Sequence, residues 1–215
     1  MSLDRRWIRV SAVAGVGLAL GVGLTGCAGE AEETAVAPIA PPRPTTPPPP
    51  PAPTVTPVAD LMAKLSIDER VVLPEAQAPA NDPDRIALLG FFDAFARGDA
   101  FALGEVLPML DRAELDDMVE SGDWERSVEG ITEIAIQTGA SPYGDKCALA
   151  IFEANGDYQA QLWYYNGDNG QYVFDAVPAP PRMIDELYGD DPIALWHDKL
   201  EEELELAMQP DDPYD

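Results

Sequence analysis

Two hydrophobic periodicities divide the chain beyond residue 58. Asp82-Pro83 has the form of a helix N-cap followed by proline at the first helical position. Leu88, Leu89, Phe92, Phe95 and Ala96 then recur at helical spacing and Gly98 supplies a stop, which predicts a helix. Asp99 can cap a second, short helix over 100–106, ended by Pro108. Asp111 and Glu114 stand at capping-box spacing before a third, whose apolar face is Leu115, Met118 and Val119. From Ile131 the period changes to two, predicting strands over 131–138, 146–154, 158–166 and 171–178.

Turn chemistry joins these strands into an antiparallel meander. Asn155-Gly156 is a two-residue hairpin signal, and the glycine-rich stretch 166–170 joins the third strand to the fourth. With Asn155-Gly156 as the whole turn, Ala154 faces Asp157, Ile151 faces Ala160, Leu149 faces Leu162 and Cys147 faces Tyr164. With 166–170 as the next loop, Tyr164 faces Tyr172 and Leu162 faces Phe174. One side of the sheet then carries Cys147, Leu149, Ile151, Ala160, Leu162, Tyr164, Tyr172, Phe174 and Ala176, which predicts the core side against the N-terminal helices. The other side, with Phe152, Gln159, Gln161, Trp163, Tyr165, Val173 and Asp175, is mixed and needs a cover over its aromatics. The sequence after Pro181 offers one: a short helix over 183–188 and a longer one over 192–208 with an apolar stripe of Trp196, Leu200, Leu204 and Ala207. Glu201, Glu202 and Glu205 form the solvated face of that helix. The expected class is α+β: N-terminal helices on a four-stranded antiparallel meander, with C-terminal helices.

Charge narrows the function classes. The 215 residues include 39 acidic and 13 basic side chains, a formal charge of −26. No basic surface for phosphate neutralisation can be assembled from so few cations, so nucleic acid is excluded as a partner. One His and two Cys make neither a zinc finger nor a disulfide scaffold. Cys147, inside an apolar run, reads as a small buried hydrophobe.

The first 27 residues carry an export pattern. Arg5, Arg6 and Arg9 form a positive region, followed by an apolar stretch over 10–24 and by Leu24-Thr25-Gly26-Cys27. The tetrapeptide resembles a lipobox, the processing site of bacterial lipoproteins. That resemblance implies removal of 1–26, acylation of Cys27 as the first mature residue, and a membrane-anchored, extracytoplasmic location on the periplasmic side or the cell surface. Two or more acyl chains would hold firmly, since one binds only marginally. The alternative is an uncleaved anchor, because the uncharged run 10–29 is just long enough to span a bilayer, although its six glycines make a poor helix. Arg5-Arg6 loosely resembles a twin-arginine export motif, but Asp4 precedes the pair, which favours ordinary unfolded export. Without 1–26 the chain has ten basic and 38 acidic residues, a net charge of −28. Residues 27–57 read as a tether: 11 of the 20 residues over 38–57 are proline, a composition for extended polyproline II, with a plain spacer as its expected role. The folded domain is expected over 58–209, and 210–215 form an acidic tail.

The order of helix, short helix, helix and meander resembles the NTF2-like family, which includes the SnoaL-like proteins. The segment LLGFFDAFARGDAFALG over 88–104 is the nearest match, and the resemblance covers about 100 residues. It implies a cone-shaped fold and, in the enzymes of that family, an acid, a base or a His inside the cone. On the core side derived above the polar groups are only Tyr164 and Tyr172, with Glu153 and Tyr158 at the rim, and a tyrosine pair lacks a general base. His197 sits one residue from the helix stripe, with nothing to complete a Ser/His/Asp set. The stretch from Asn166 to Gly170 begins like a calcium loop, but Val177 stands where the bidentate Glu belongs, so it reads as a turn. No catalytic residue, metal ligand or cofactor is assigned.

Gln161, Trp163, Tyr165 and Asp175 from the mixed side, with Tyr164 and Tyr172, are the candidate contacts for an unknown protein or a small apolar ligand. The expected function is a lipid-anchored binding or scaffold module without catalytic activity. An NTF2-like small-molecule isomerase or hydrolase is the alternative, and a structural spacer of the cell envelope is a third. A buried carboxylate within hydrogen-bond reach of a tyrosine, beside an open pocket, would overturn the preference for a non-catalytic module.

Overall fold

A computed structural model describes residues 55–208, apart from Asn169, Tyr188 and Asp190. The export segment, Cys27, the proline-rich stretch up to residue 54 and the acidic tail lie outside the described residues.

Helix α1 (Val58–Leu65) precedes a two-residue strand, β1 (Val71–Val72), and a 3-10 turn at Glu75–Gln77. Helix α2 (Asp82–Arg97) begins one residue earlier than its proline suggests. Asn81 is the cap, and its side chain accepts from the Asp84 amide at 2.9 Å, while Pro83 sits in the first turn. Helix α3 is short (Ala100–Gly104) and is capped by Asp99 as expected. Helix α4 (Met109–Ser121) starts directly after Pro108, so Asp111 lies inside its first turn and is buried instead of capping it. Helix α5 (Asp123–Glu129) follows at once. The meander is β2 (Ile131–Ala140), β3 (Lys146–Ala154), β4 (Asp157–Asp168) and β5 (Gln171–Val177), and helices α6 (Met183–Glu186) and α7 (Pro192–Met208) complete the domain.

The fold is α+β, with a sheet of five strands in the order β1-β2-β3-β4-β5. The expected four antiparallel strands are present, and β1 adds a fifth that runs parallel to β2, pairing Val71 with Ile134. With only two residues, β1 carries no periodic signal of its own.

The β3–β4 register is the expected one, from Ala154 opposite Asp157 to Cys147 opposite Tyr164. Asn155 and Gly156 both have positive φ (55° and 83°), the conformation that a right-twisted two-residue hairpin requires. The β4–β5 register differs. Strand β4 continues to Asp168, which pairs with Gln171, so only two residues connect the strands and Gly170 has φ of +83°. Leu162 therefore faces Val177 and Tyr164 faces Asp175, a displacement of three positions from the expected pairing. Three is odd, and an odd shift carries every β5 side chain to the opposite face.

The faces are consequently reassigned. Trp163, Tyr165, Phe174 and Ala176 share one face with Ala148, Ala150, Ile134 and Ile136, and this face packs on α1 to α5. Cys147, Leu149, Leu162 and Val177 form the other face, which is covered by Met183 of α6 and by Ile193 and Trp196 of α7. The face expected to be mixed is thus the main core, and the C-terminal helices cover the opposite one. On this face the rings of Phe91, Phe92 and Phe95 of α2 pack against Phe152, Trp163 and Phe174, whereas the C-terminal layer takes Leu149 and Leu162. Trp196 is fully buried and its indole donates to the Pro178 carbonyl at 3.0 Å, which holds α7 onto the end of β5.

Candidate functional site

Between α2, the α3 segment and β5 lies an open groove of about 480 Å³, within the range of small-ligand sites. Helix α2 contributes Pro83, Ile86, Ala87, Gly90, Phe91 and Ala94, the α3 segment Ala102 and Val106, and β5 with its turn Gly170, Tyr172 and Phe174. The wall follows from local rules. Positions 83, 86, 87, 90, 91 and 94 recur at helical spacing, so they form one stripe of α2. The Phe174 amide donates to the Val106 carbonyl at 2.8 Å, which ties β5 to the α3 segment along the far side. Phe91 lies parallel to Phe174 with ring centroids 3.9 Å apart, and together they make the aromatic floor. A Cβ at Gly90 would meet nothing within 4 Å, so the missing side chain leaves the groove open there.

A polar cluster adjoins the groove. The Tyr172 hydroxyl donates to Asp84 Oδ1 at 2.8 Å. Lys146 Nζ and Asn81 Nδ2 donate to Asp84 Oδ2 at 2.7 and 2.8 Å. Asp84 is buried, and burial works to raise its carboxyl. The hydrogen bonds from Lys146, Asn81 and Tyr172 outweigh that and hold it below the usual carboxylate range. Burial, reinforced by the bond to Asp84, pushes the Tyr172 phenol up to about 12. The Lys146 ammonium also lies 5.9 Å from the centroid of the Tyr165 ring. Of this cluster Tyr172 belongs to the groove wall and Asp84 does not.

The structure separates the six candidate contacts. Trp163 and Tyr165 are buried in the main core, with Gln161 half-buried on the same face. Burial pushes the Tyr165 phenol far upward. Tyr172 joins their face, and of the six it alone lines the groove. Tyr164 and Asp175 pair on the opposite face instead, correcting the expected placement of Tyr172 beside Tyr164 and of Asp175 opposite Gln161. There Tyr164 stacks on His197 with centroids 5.8 Å apart, and burial pushes the Tyr164 phenol up to about 12. Burial also raises the Asp175 carboxyl and depresses the His197 imidazole. Cys147 is fully buried, its thiol pushed by that burial up to about 11, which makes it a poor nucleophile at neutral pH.

Asp84, Lys146 and Asn81 were not legible as a site. Asn81 and Asp84 stand at cap spacing, a local signal, but nothing local joins them to Lys146, 62 residues away from Asp84. Among the described residues, no group of three or more His, Cys, Asp or Glu is placed to hold a metal ion. Among the same residues, no helix is long and apolar enough to cross a membrane. Comparison with known proteins finds no matching family model, no matching curated protein and no matching solved structure.

Proposed function

We propose that this protein is a lipid-anchored, extracytoplasmic module, held to the membrane through Cys27, that binds a small apolar ligand in the groove between α2 and β5. The observation that carries the ligand class is the groove's lining. Of its eleven residues none is charged, and the one side-chain polar group is the Tyr172 hydroxyl. The net charge of −28 for a chain beginning at Cys27 weighs further against an anionic ligand. On this reading the fold is an NTF2-like cone, supported by the order of helix, short helix and helix followed by a meander that packs on α2. Export and anchoring rest on the lipobox-like Leu24-Thr25-Gly26-Cys27.

One observation favours the enzymatic alternative. Asp84 is a buried carboxylate, 2.8 Å from a tyrosine that lines an open groove, which is the arrangement named above as the mark of an NTF2-like catalyst. Its electrostatics weigh against a general base. Both carboxylate oxygens are engaged by donors, the carboxyl is held below the usual range and is therefore a weak base, and the Tyr172 proton is committed to it. The binding reading is therefore preferred.

The test is a titration with a neutral naphthylamine fluorophore, comparing the wild type with Gly90→Trp. The indole projects into open groove without meeting other atoms at its Cβ, so the fold is expected to survive and probe affinity to fall at least about tenfold, or ~1.4 kcal/mol. Unchanged affinity in a folded Gly90→Trp variant would refute the groove as the site. The anchor is read from the same preparation: protein extracted from membranes should have the mass of a chain beginning at Cys27 with acyl chains attached. A mature chain that starts elsewhere and carries no lipid would refute that half of the proposal.

A further inference from the structure

Among the described residues that line the groove, Tyr172 is the one whose side chain can form a hydrogen bond, and its surroundings fix which role it takes in that bond. The others present hydrocarbon side chains or are glycine. A phenol ordinarily serves as donor or acceptor, because its single proton rotates to suit the neighbour. Here the proton has a fixed destination. The Tyr172 hydroxyl donates to Asp84 Oδ1 at 2.8 Å, and no described side chain donates back to its oxygen.

Asp84 is held in place to receive that proton. Its other oxygen, Oδ2, accepts from Lys146 Nζ at 2.7 Å and from Asn81 Nδ2 at 2.8 Å. Asn81 is itself oriented, since its side-chain oxygen accepts from the Asp84 amide at 2.9 Å and only the amino end is left for the carboxylate. These donors keep the Asp84 carboxyl below the usual carboxylate range, so the acceptor is a charged one. A hydrogen bond to an ionised acceptor is about twice as strong as one to a neutral acceptor. A ligand ether or ketone therefore does not win the phenol proton from Asp84. What Tyr172 retains for a ligand is the lone-pair density of its oxygen, and donation to a carboxylate polarises a hydroxyl into a better acceptor.

We propose, resting on the reading of the groove as the ligand site, that Tyr172 is a specificity-determining acceptor: the groove takes apolar molecules bearing a hydroxyl or an N–H, and discriminates against those bearing only acceptors. An ether or ketone oxygen at this place sets lone pair against lone pair. Asp84 acts through Tyr172 as a positioning residue. The hydroxyl stands at one end of the groove, because Asp84 directly follows Pro83, the first groove residue of α2. A bound molecule thus has its donor at the Pro83 end and its apolar body over Phe91 and Phe174.

Two neutral fluorescent probes with one ring system, 2-naphthol and 2-methoxynaphthalene, test this by titration into the full chain at pH 7. The ether is the more apolar of the two, so a groove that senses only apolar surface binds it at least as well. The expected result is naphthol binding at least about fivefold tighter. Tyr172→Phe should bring the ratio to about one by weakening naphthol alone. Asp84→Ala, which releases the phenol proton, should close or reverse the preference by strengthening the ether. A merely loosened groove would weaken both probes instead. Equal wild-type affinities, with both probes weakened by Gly90→Trp, would overturn the acceptor role and leave the groove standing as a site whose polar contacts come from the main chain of β5. A preference that persists in Tyr172→Phe would overturn it as well. Failure of both probes to bind would refute the groove as the site, and the acceptor role with it. The wild type and Tyr172→Phe decide the matter if Asp84→Ala does not fold.

Discussion

Replacement of Phe91 by alanine is expected to remove about 3–5 kcal/mol of stability, the range for deleting a buried phenylalanine from a packed core. Phe91 is 3% exposed and packs against four other rings. It lies against Phe174 within 3° of parallel, and meets Phe92, Phe95 and Trp163 edge-on at centroid separations of 5.1, 5.2 and 5.0 Å. Two losses add: the transfer free energy of the ring, and the contacts forfeited by four aromatics that cannot all close the gap. For a domain of this size the melting midpoint should fall by roughly 10 °C or more. Thermal unfolding followed by near-ultraviolet circular dichroism measures it directly. A loss below about 1.5 kcal/mol would mean that the rings repack freely, and that the parallel Phe91–Phe174 pair is not a fixed floor for the groove.

How far the sequence reaches can be judged at particular residues. The β3–β4 pairing was legible because Asn155-Gly156 states both the length and the conformation of its turn, and every partner follows by counting outward. The β4–β5 pairing differs from the expected one because Asn166, Gly167 and Asp168 have the composition of a loop. They extend β4 instead, as far as Asp168, which pairs with Gln171. An odd shift turns β5 over, so Tyr172 and Asp175 lie on the faces opposite those expected. The choice of core side was a separate difficulty. Residues 147–152 are apolar at every position because helices cover both faces, and a period of two cannot say which face meets the thicker layer. The groove was partly visible, as the helical stripe of α2. Its polar corner was not, because Asp84, Lys146 and Tyr172 come from three distant segments that only the folded topology joins.

That corner carries the second large effect. Asp84→Ala is expected to cost about 2–3 kcal/mol, since it strips the acceptor from three donors: the Tyr172 hydroxyl, the Asn81 amide and the Lys146 ammonium. The lysine contributes least, because its side chain is 53% exposed and can turn to water. The helix cap itself survives, as the Asn81 side chain still accepts from the backbone amide at position 84. Acid should act through the same carboxylate. An Asp whose folded pKa is depressed contributes stability that is complete above its unfolded value near 4 and is lost as pH falls through the folded one. Asp84 is of this kind, and so is Asp68, which hydrogen bonds from Arg70 hold at about 2 against the opposing effect of burial. The wild type should therefore lose stability between about pH 4 and pH 2, and Asp84→Ala should lose less over that interval because one of the depressed carboxylates, which also include Glu75 and Asp82, is gone. His197 sets a separate, shared slope: burial depresses its imidazole, so its contribution declines as pH falls below about 6.5 in both proteins. Denaturant midpoints of wild type and variant at pH 7, 5 and 3 separate these contributions. A cost under about 1 kcal/mol at pH 7, or parallel profiles below pH 4, would show that Asp84 is solvated in solution and that Tyr172 is free to present its proton to a ligand in the groove.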